Sequence, residues 1–163
     1  MFGISPLGWV HTLGSLPAIP LALAMVMRSG RIEPRSTAGK AYLVFMLIGA
    51  LTVYPLAHAQ AGVILATTTL VLLIVGFSIG HVRALGRAAV YLETIALSLT
   101  VFLLLVPTVT EILRRVPDGH PIAASLEAPI LRAAHLALVA GLVVALVAQV
   151  RGLRRRALPR DHA

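Results

Sequence analysis

The chain contains no cysteine. That absence excludes disulfides, thiolate metal sites, iron–sulfur clusters, cysteine nucleophiles and covalent c-type haem attachment. Charge is scarce too. Only 12% of the 163 residues are charged, against about 25% in an ordinary soluble domain. A surface so poor in charge must face something other than water, and no polar segment is long enough to form a second domain. Also missing are a phosphate-cradling glycine loop, a nucleophile elbow and a paired zinc-protease histidine motif. Ser15 follows His11 by one helical turn, but no carboxylate in the sequence is placed to orient such a pair.

What is present is apolar sequence, 58% of the chain. A membrane-spanning helix needs about 20 mainly apolar residues, and five such runs occur: Leu7 to Met27, Ala41 to Ala59, Gly62 to Gly80, Ala88 to Val106, and Pro129 to Val150. Pro17 and Pro20 should kink the first. The expected fold is an all-α polytopic bundle of five transmembrane helices forming a single domain over residues 1–163. No Lys or Arg lies between Met1 and Trp9, so the basic start of a secretory signal is missing and the first run is expected to remain as an anchor.

The net charge of +8 does not point to nucleic acid, because the basic residues sit at the ends of the apolar runs. Arg28, Arg31, Arg35, Lys40, Arg83, Arg87, Arg151, Arg154, Arg155, Arg156 and Arg160 fall on one side. Arg114, Arg115 and Arg132 fall on the other. The positive-inside rule places the larger group in the cytoplasm, giving an N-out, C-in topology with a basic cytoplasmic tail at 151–163. The tail is an orientation signal first, although it also suits anionic lipid. The outer connection, 108–127, opens with apolar residues 109, 112, 113 and 116 on one helical face. It is expected to continue the fourth helix past Pro107 as a short amphipathic helix on the outer surface, ended by Pro117-Asp118-Gly119-His120-Pro121. Small residues at Gly76, Ser78 and Gly80, and at Ala137, Gly141 and Ala145, permit close helix approach, within the chain or in a homo-oligomer.

With that topology, His11, His58 and His135 lie at similar depth on the outer side. His120 and Glu111 lie nearby, as does Arg132 one turn before His135. His81 is at the inner end of the third helix and His162 is in the tail. Imidazole is a common ligand of metals and haem. The outer trio could hold a single metal ion, with Glu111 or water as a further ligand, or two of the three could ligate one b-type haem while the third contacts a propionate or a quinone. The plainer alternative is histidines solvated at helix ends or bonded to carbonyls. A two-haem relay across the membrane within one chain is not expected, because His81 has no spanning partner. Glu93, about two turns into the fourth helix from its cytoplasmic end, is either a proton or substrate site or is hydrogen-bonded to Thr, Ser or Tyr across a helix interface, with Thr67, Thr68 and Thr69 as possible partners.

The segments Gly86-Arg87-Ala88-Ala89-Val90-Tyr91-Leu92-Glu93-Thr94, Val106-Pro107-Thr108-Val109-Thr110-Glu111 and His11-Thr12-Leu13-Gly14, with the stretch from Arg31 to Tyr42, resemble an uncharacterised family of small, histidine-bearing bacterial integral membrane proteins. The resemblance implies a multi-pass protein of the bacterial cytoplasmic (inner) membrane and no activity. Three functions therefore stand as expectations: a haem- or metal-binding membrane protein with an outer histidine site, a small proton-coupled transporter using Glu93, and a non-catalytic accessory subunit of a larger membrane complex. The topology is directly testable. A fluorescent protein fused after Ala157 should fluoresce and alkaline phosphatase fused there should be inactive, while phosphatase inserted after Asp118 should be active; the reverse pattern would invert the orientation.

Overall fold

A computed structural model describes residues 5–57, 59–117 and 119–157. The described residues form helices and no strands: α1 (Pro6–Ser15), α2 (Ala18–Ser29), α3 (Thr37–Leu56), α4 (Gln60–Ser78), α5 (Arg87–Arg115) and α6 (Pro129–Ala157), with two short 3-10 turns, Ile79–His81 and Arg83–Leu85, between α4 and α5. Five segments are long and apolar enough to cross a membrane. The first is α1 and α2 together, Pro6–Ser29.

The break inside this first span follows from its prolines. Pro17 and Pro20 have no N–H to offer the carbonyls one turn earlier, so the α1 ladder stops. Pro17 becomes the residue preceding α2, and Pro20 sits in its first turn, where a missing donor leaves nothing unpaired. Gly30 ends α2 in the left-handed conformation, φ 75°, which suits glycine. Ser36 caps α3 by accepting from the Gly39 N–H at 2.9 Å, so α3 starts before Ala41.

Pro107 does not end the fourth span. α5 runs through it to Arg115, and residues 108–115 are its last two turns. The carbonyl left without its helical donor is that of Leu103; the hydroxyls of Thr108 and Thr110 donate to the carbonyls of Leu104 and Val106, each at 2.7 Å, one turn back in the same helix. The last span likewise runs past Val150 to take in Arg154, Arg155 and Arg156.

Packing follows chain order: α1 and α2 lie on α3, α3 on α4, α4 on α5, and α5 on α6. The core joins Ala18, Ala22 and Met25 of α2, Ile32 of the following loop, Tyr42 and Met46 of α3, Leu73 of α4 and Leu97 of α5. Glycine permits the closest approaches. A Cβ on Gly76 would stand 2.5 Å from Leu97 Cδ2, and one on Gly49 would stand 2.8 Å from Ser15 Cβ. The small residues near the end of α4 thus serve packing within the chain. Those on α6 do not, because a Cβ on Gly141 would meet nothing within 4 Å. α6 is the peripheral helix: 6% of its apolar window is buried, against 39% for α5.

Two glycines separate these situations experimentally. A Cβ on Gly39 would fall on the backbone carbonyl of Glu33, which cannot yield as a side chain can. Gly39→Ala should therefore lose about 1–3 kcal/mol. Gly141→Ala should be neutral or gain up to ~1 kcal/mol from helix propensity. Melting in mild detergent checks the pair; equal shifts would contradict the packing.

Candidate functional site

Two groups of polar side chains stand out, one at each end of α5. At the end bearing the N-terminus, His11 of α1 lines a cavity of about 300 Å³. Thr12 and Ser15 of α1, Thr69 of α4, and Thr108 and Glu111 of α5 line it with His11, over an apolar floor that includes Met46, Leu65 and Leu104. The packing of α1 on α3 brings the His11 ring to Thr52, with Nδ1 2.8 Å from Thr52 Oγ1.

That contact decides the tautomer. A threonine hydroxyl has one proton. Thr52 directs it to its own helix, to the carbonyls of Ile48 at 2.6 Å and Gly49 at 3.1 Å. Towards His11 it can only accept, so Nδ1 carries a proton, and in the neutral ring Nε2 then holds the lone pair. His135 is held by the same logic with the nitrogens exchanged. Thr110 gives its proton to the Val106 carbonyl and lies 2.9 Å from His135 Nε2. His135 therefore donates from Nε2.

The two rings bear on different faces of α5. Thr108 and Glu111 turn toward the His11 cavity, whereas Thr110, about a third of a turn from Glu111, meets α6. The structure does not bring His11 and His135 together. His58 lies outside the described residues. Among the described residues, no group of three or more His, Asp or Glu side chains could hold a metal ion. Glu111 shares the cavity with His11 and is also ion-paired to Arg115. Arg132 is exposed, and the His81 ring meets the Ser78 carbonyl of its own turn at 3.2 Å.

At the basic end, Glu93 is buried. Its carboxylate is held by Arg31, Nη1 to Oε1 2.7 Å, and by Arg35, Nη2 to Oε2 3.1 Å. Both arginines come from the loop between α2 and α3. Gly80 makes room for this contact, since a Cβ there would fall on Arg35 Nη2 and stand 2.7 Å from Glu93 Oε2. The neutral partners expected from sequence do not hold Glu93: Thr67 bonds Tyr54 at 2.9 Å and Thr69 bonds the Leu65 carbonyl at 2.8 Å. A signal for the arginines was present. The positive-inside count puts Arg31 and Arg35 on the same side as Glu93, and a carboxylate in hydrocarbon requires compensation.

Between the two ends, Tyr42 of α3 and Thr100 of α5 share a buried hydrogen bond of 2.7 Å. Glu93, Thr100 and Glu111 lie on one face of α5, and the two carboxylates are separated by about 27 Å along the axis. No protein-family model, curated protein or solved structure matches the chain.

The clamp on Glu93 should be asymmetric. Arg31→Leu leaves the buried Glu93 carboxylate with only the exposed Arg35 to balance it and should cost about 3 kcal/mol. Arg35, whose side chain is 53% exposed, should cost at most ~1 kcal/mol when changed to Leu. Thermal denaturation of both variants in detergent tests this, and similar losses in the two would refute it.

Proposed function

We propose that this is a bacterial inner-membrane protein that binds a metal centre in the cavity at its N-terminal, outer end through one protein nitrogen, His11 Nε2. The observation that carries the reading is the tautomer imposed by Thr52, which leaves a lone pair on a ring lining a cavity. A hydrogen bond on the far nitrogen is how protein ligands are oriented for metals. One histidine nitrogen suits a five-coordinate haem iron. It also suits a single ion whose other positions are filled by Glu111 and water. Lewis acidity is common to both, and absorption and elemental analysis distinguish them.

Protein purified without chelators should carry either a Soret band or about one equivalent of metal. His11→Ala should lose it. Thr52→Val, which removes the acceptor for Nδ1–H, should weaken retention about 10–100-fold, the usual effect of losing a second hydrogen-bonding partner. His135→Ala should retain it. Wild-type protein free of both signals, or a signal unchanged in His11→Ala, would overturn the proposal.

A second reading, transport, is favoured by the shared face of Glu93 and Glu111. On this reading the His11 cavity is an outward-facing vestibule, and the Arg31–Glu93–Arg35 clamp closes the inner end. Because the chain lacks cysteine, a single introduced cysteine is a clean probe. Thr69→Cys should react with an impermeant maleimide from outside only, and adding Glu93→Gln should raise its reactivity from inside. Unchanged labelling in the double variant would count against a gate.

A further inference from the structure

A second cavity, also about 300 Å³, lies between α2, α5 and α6. Its walls include Ala22 and Val26 of α2, Phe102 of α5, and Ala137, Gly141 and Ala145 of α6. All its lining residues are apolar except Ser98 and Gln149. Leu23, Ala137 and Gly141 line it and are also exposed, so it opens sideways through the apolar flank of the bundle. From Ala137 to Gln149 it extends about 18 Å along α6. That shape is a groove at membrane depth, long and narrow enough for one hydrocarbon chain.

Two features at its basic end point to what the chain belongs to. Gln149 is only 7% exposed. Its Oε1 accepts from Ser98 Oγ at 2.7 Å, but no described residue accepts from its amide nitrogen. A primary amide has two N–H donors, and Ser98 cannot satisfy both. That donor lines the groove and is open to a ligand there, because no fully enclosed side-chain nitrogen or oxygen among the described residues lacks a hydrogen-bond partner. About two turns beyond Gln149, the guanidinium of Arg156 reaches the end of α2, where Nη2 would stand 3.8 Å from a Cβ on Gly30. Arg28 lies in the last turn of α2, and Arg154 and Arg155 in the last turn of α6. None of the four arginines is ion-paired to a described residue.

Apolar groove, amide donor and guanidiniums without an ion pair among the described residues follow one another toward the basic end. In a glycerophospholipid the acyl chain, ester carbonyl and phosphate follow in the same order. We propose that the groove holds one acyl chain of an anionic phospholipid from the leaflet at the basic end, with Gln149 donating to its ester carbonyl and Arg28 and Arg156 facing its phosphate.

Delipidated protein in mild detergent, titrated with dioleoyl phosphatidylglycerol or dioleoyl phosphatidylcholine and read by native mass spectrometry, tests this. One phosphatidylglycerol per chain should be retained in preference to phosphatidylcholine. Arg28→Gln and Arg156→Gln, which lie outside the packed core, should each reduce that preference about fivefold. Gly141→Leu should fill the groove and abolish retention of both lipids without lowering the melting temperature. Unsaturable binding, no preference between the lipids, or full retention by Gly141→Leu would overturn the proposal. So would efficient Gly141→Cys cross-linking between chains in the membrane, which would show a second copy on this face.

Discussion

The carboxylate of Glu93 is buried near the basic end of α5, and the fold at that end is arranged around its charge. An isolated carboxylate in an apolar environment is too costly to keep ionised. Arg31 and Arg35 resolve this by folding the loop between α2 and α3 back over α5. That fold in turn requires glycine where the loop crosses its neighbours: Gly39 beneath the Glu33 carbonyl and Gly80 beneath the Arg35 guanidinium. The Ser36 cap and the early start of α3 follow from the same loop path. One electrostatic requirement thus ties the first three spans to the fourth.

The apolar middle of the bundle is governed by a different economy. With little water to satisfy them, threonine hydroxyls bond back to carbonyls of their own helix, as Thr52, Thr69, Thr94, Thr108 and Thr110 do. Each hydroxyl proton is consumed locally, and what remains is an acceptor of fixed direction. This fixes which nitrogen of each ring donates, Nδ1 of His11 and Nε2 of His135, without any charged partner. A residue type that reads as filler in an apolar sequence therefore sets the chemistry of the histidines.

α5 is the spine. Its more buried face carries Glu93, Leu97 and Thr100 against the first three spans, and its other flank carries Ser98 and Thr110 against α6. The two cavities lie on these two sides. The His11 cavity is lined in part by polar side chains and belongs to α1, α3, α4 and α5. The lateral one is apolar and exists because α6 touches the rest of the bundle mainly through α5. Separate surfaces of one helix thus serve a candidate polar site and a candidate lipid site.

The number and approximate limits of the spans were legible in the sequence, because hydrocarbon thickness sets a minimum apolar length and prolines mark the weak points of the ladder. Pro17 and Pro20 break the first span as expected. Pro107 does not end the fourth, because a helix in an apolar setting can run through a proline at the loss of a single donor, here the one owed to the Leu103 carbonyl. The depth of His11, His135, Glu93 and Glu111 followed from their positions along the spans. Their rotation about the helix axes did not, and rotation decides which groups meet. Only tertiary packing set His11 against Thr52 and His135 against Thr110 on another face of α5, paired Glu93 with two loop arginines, and left Gly141 facing open space. Depth is a property of one helix in one dimension, whereas a site is made by several helices turned toward each other.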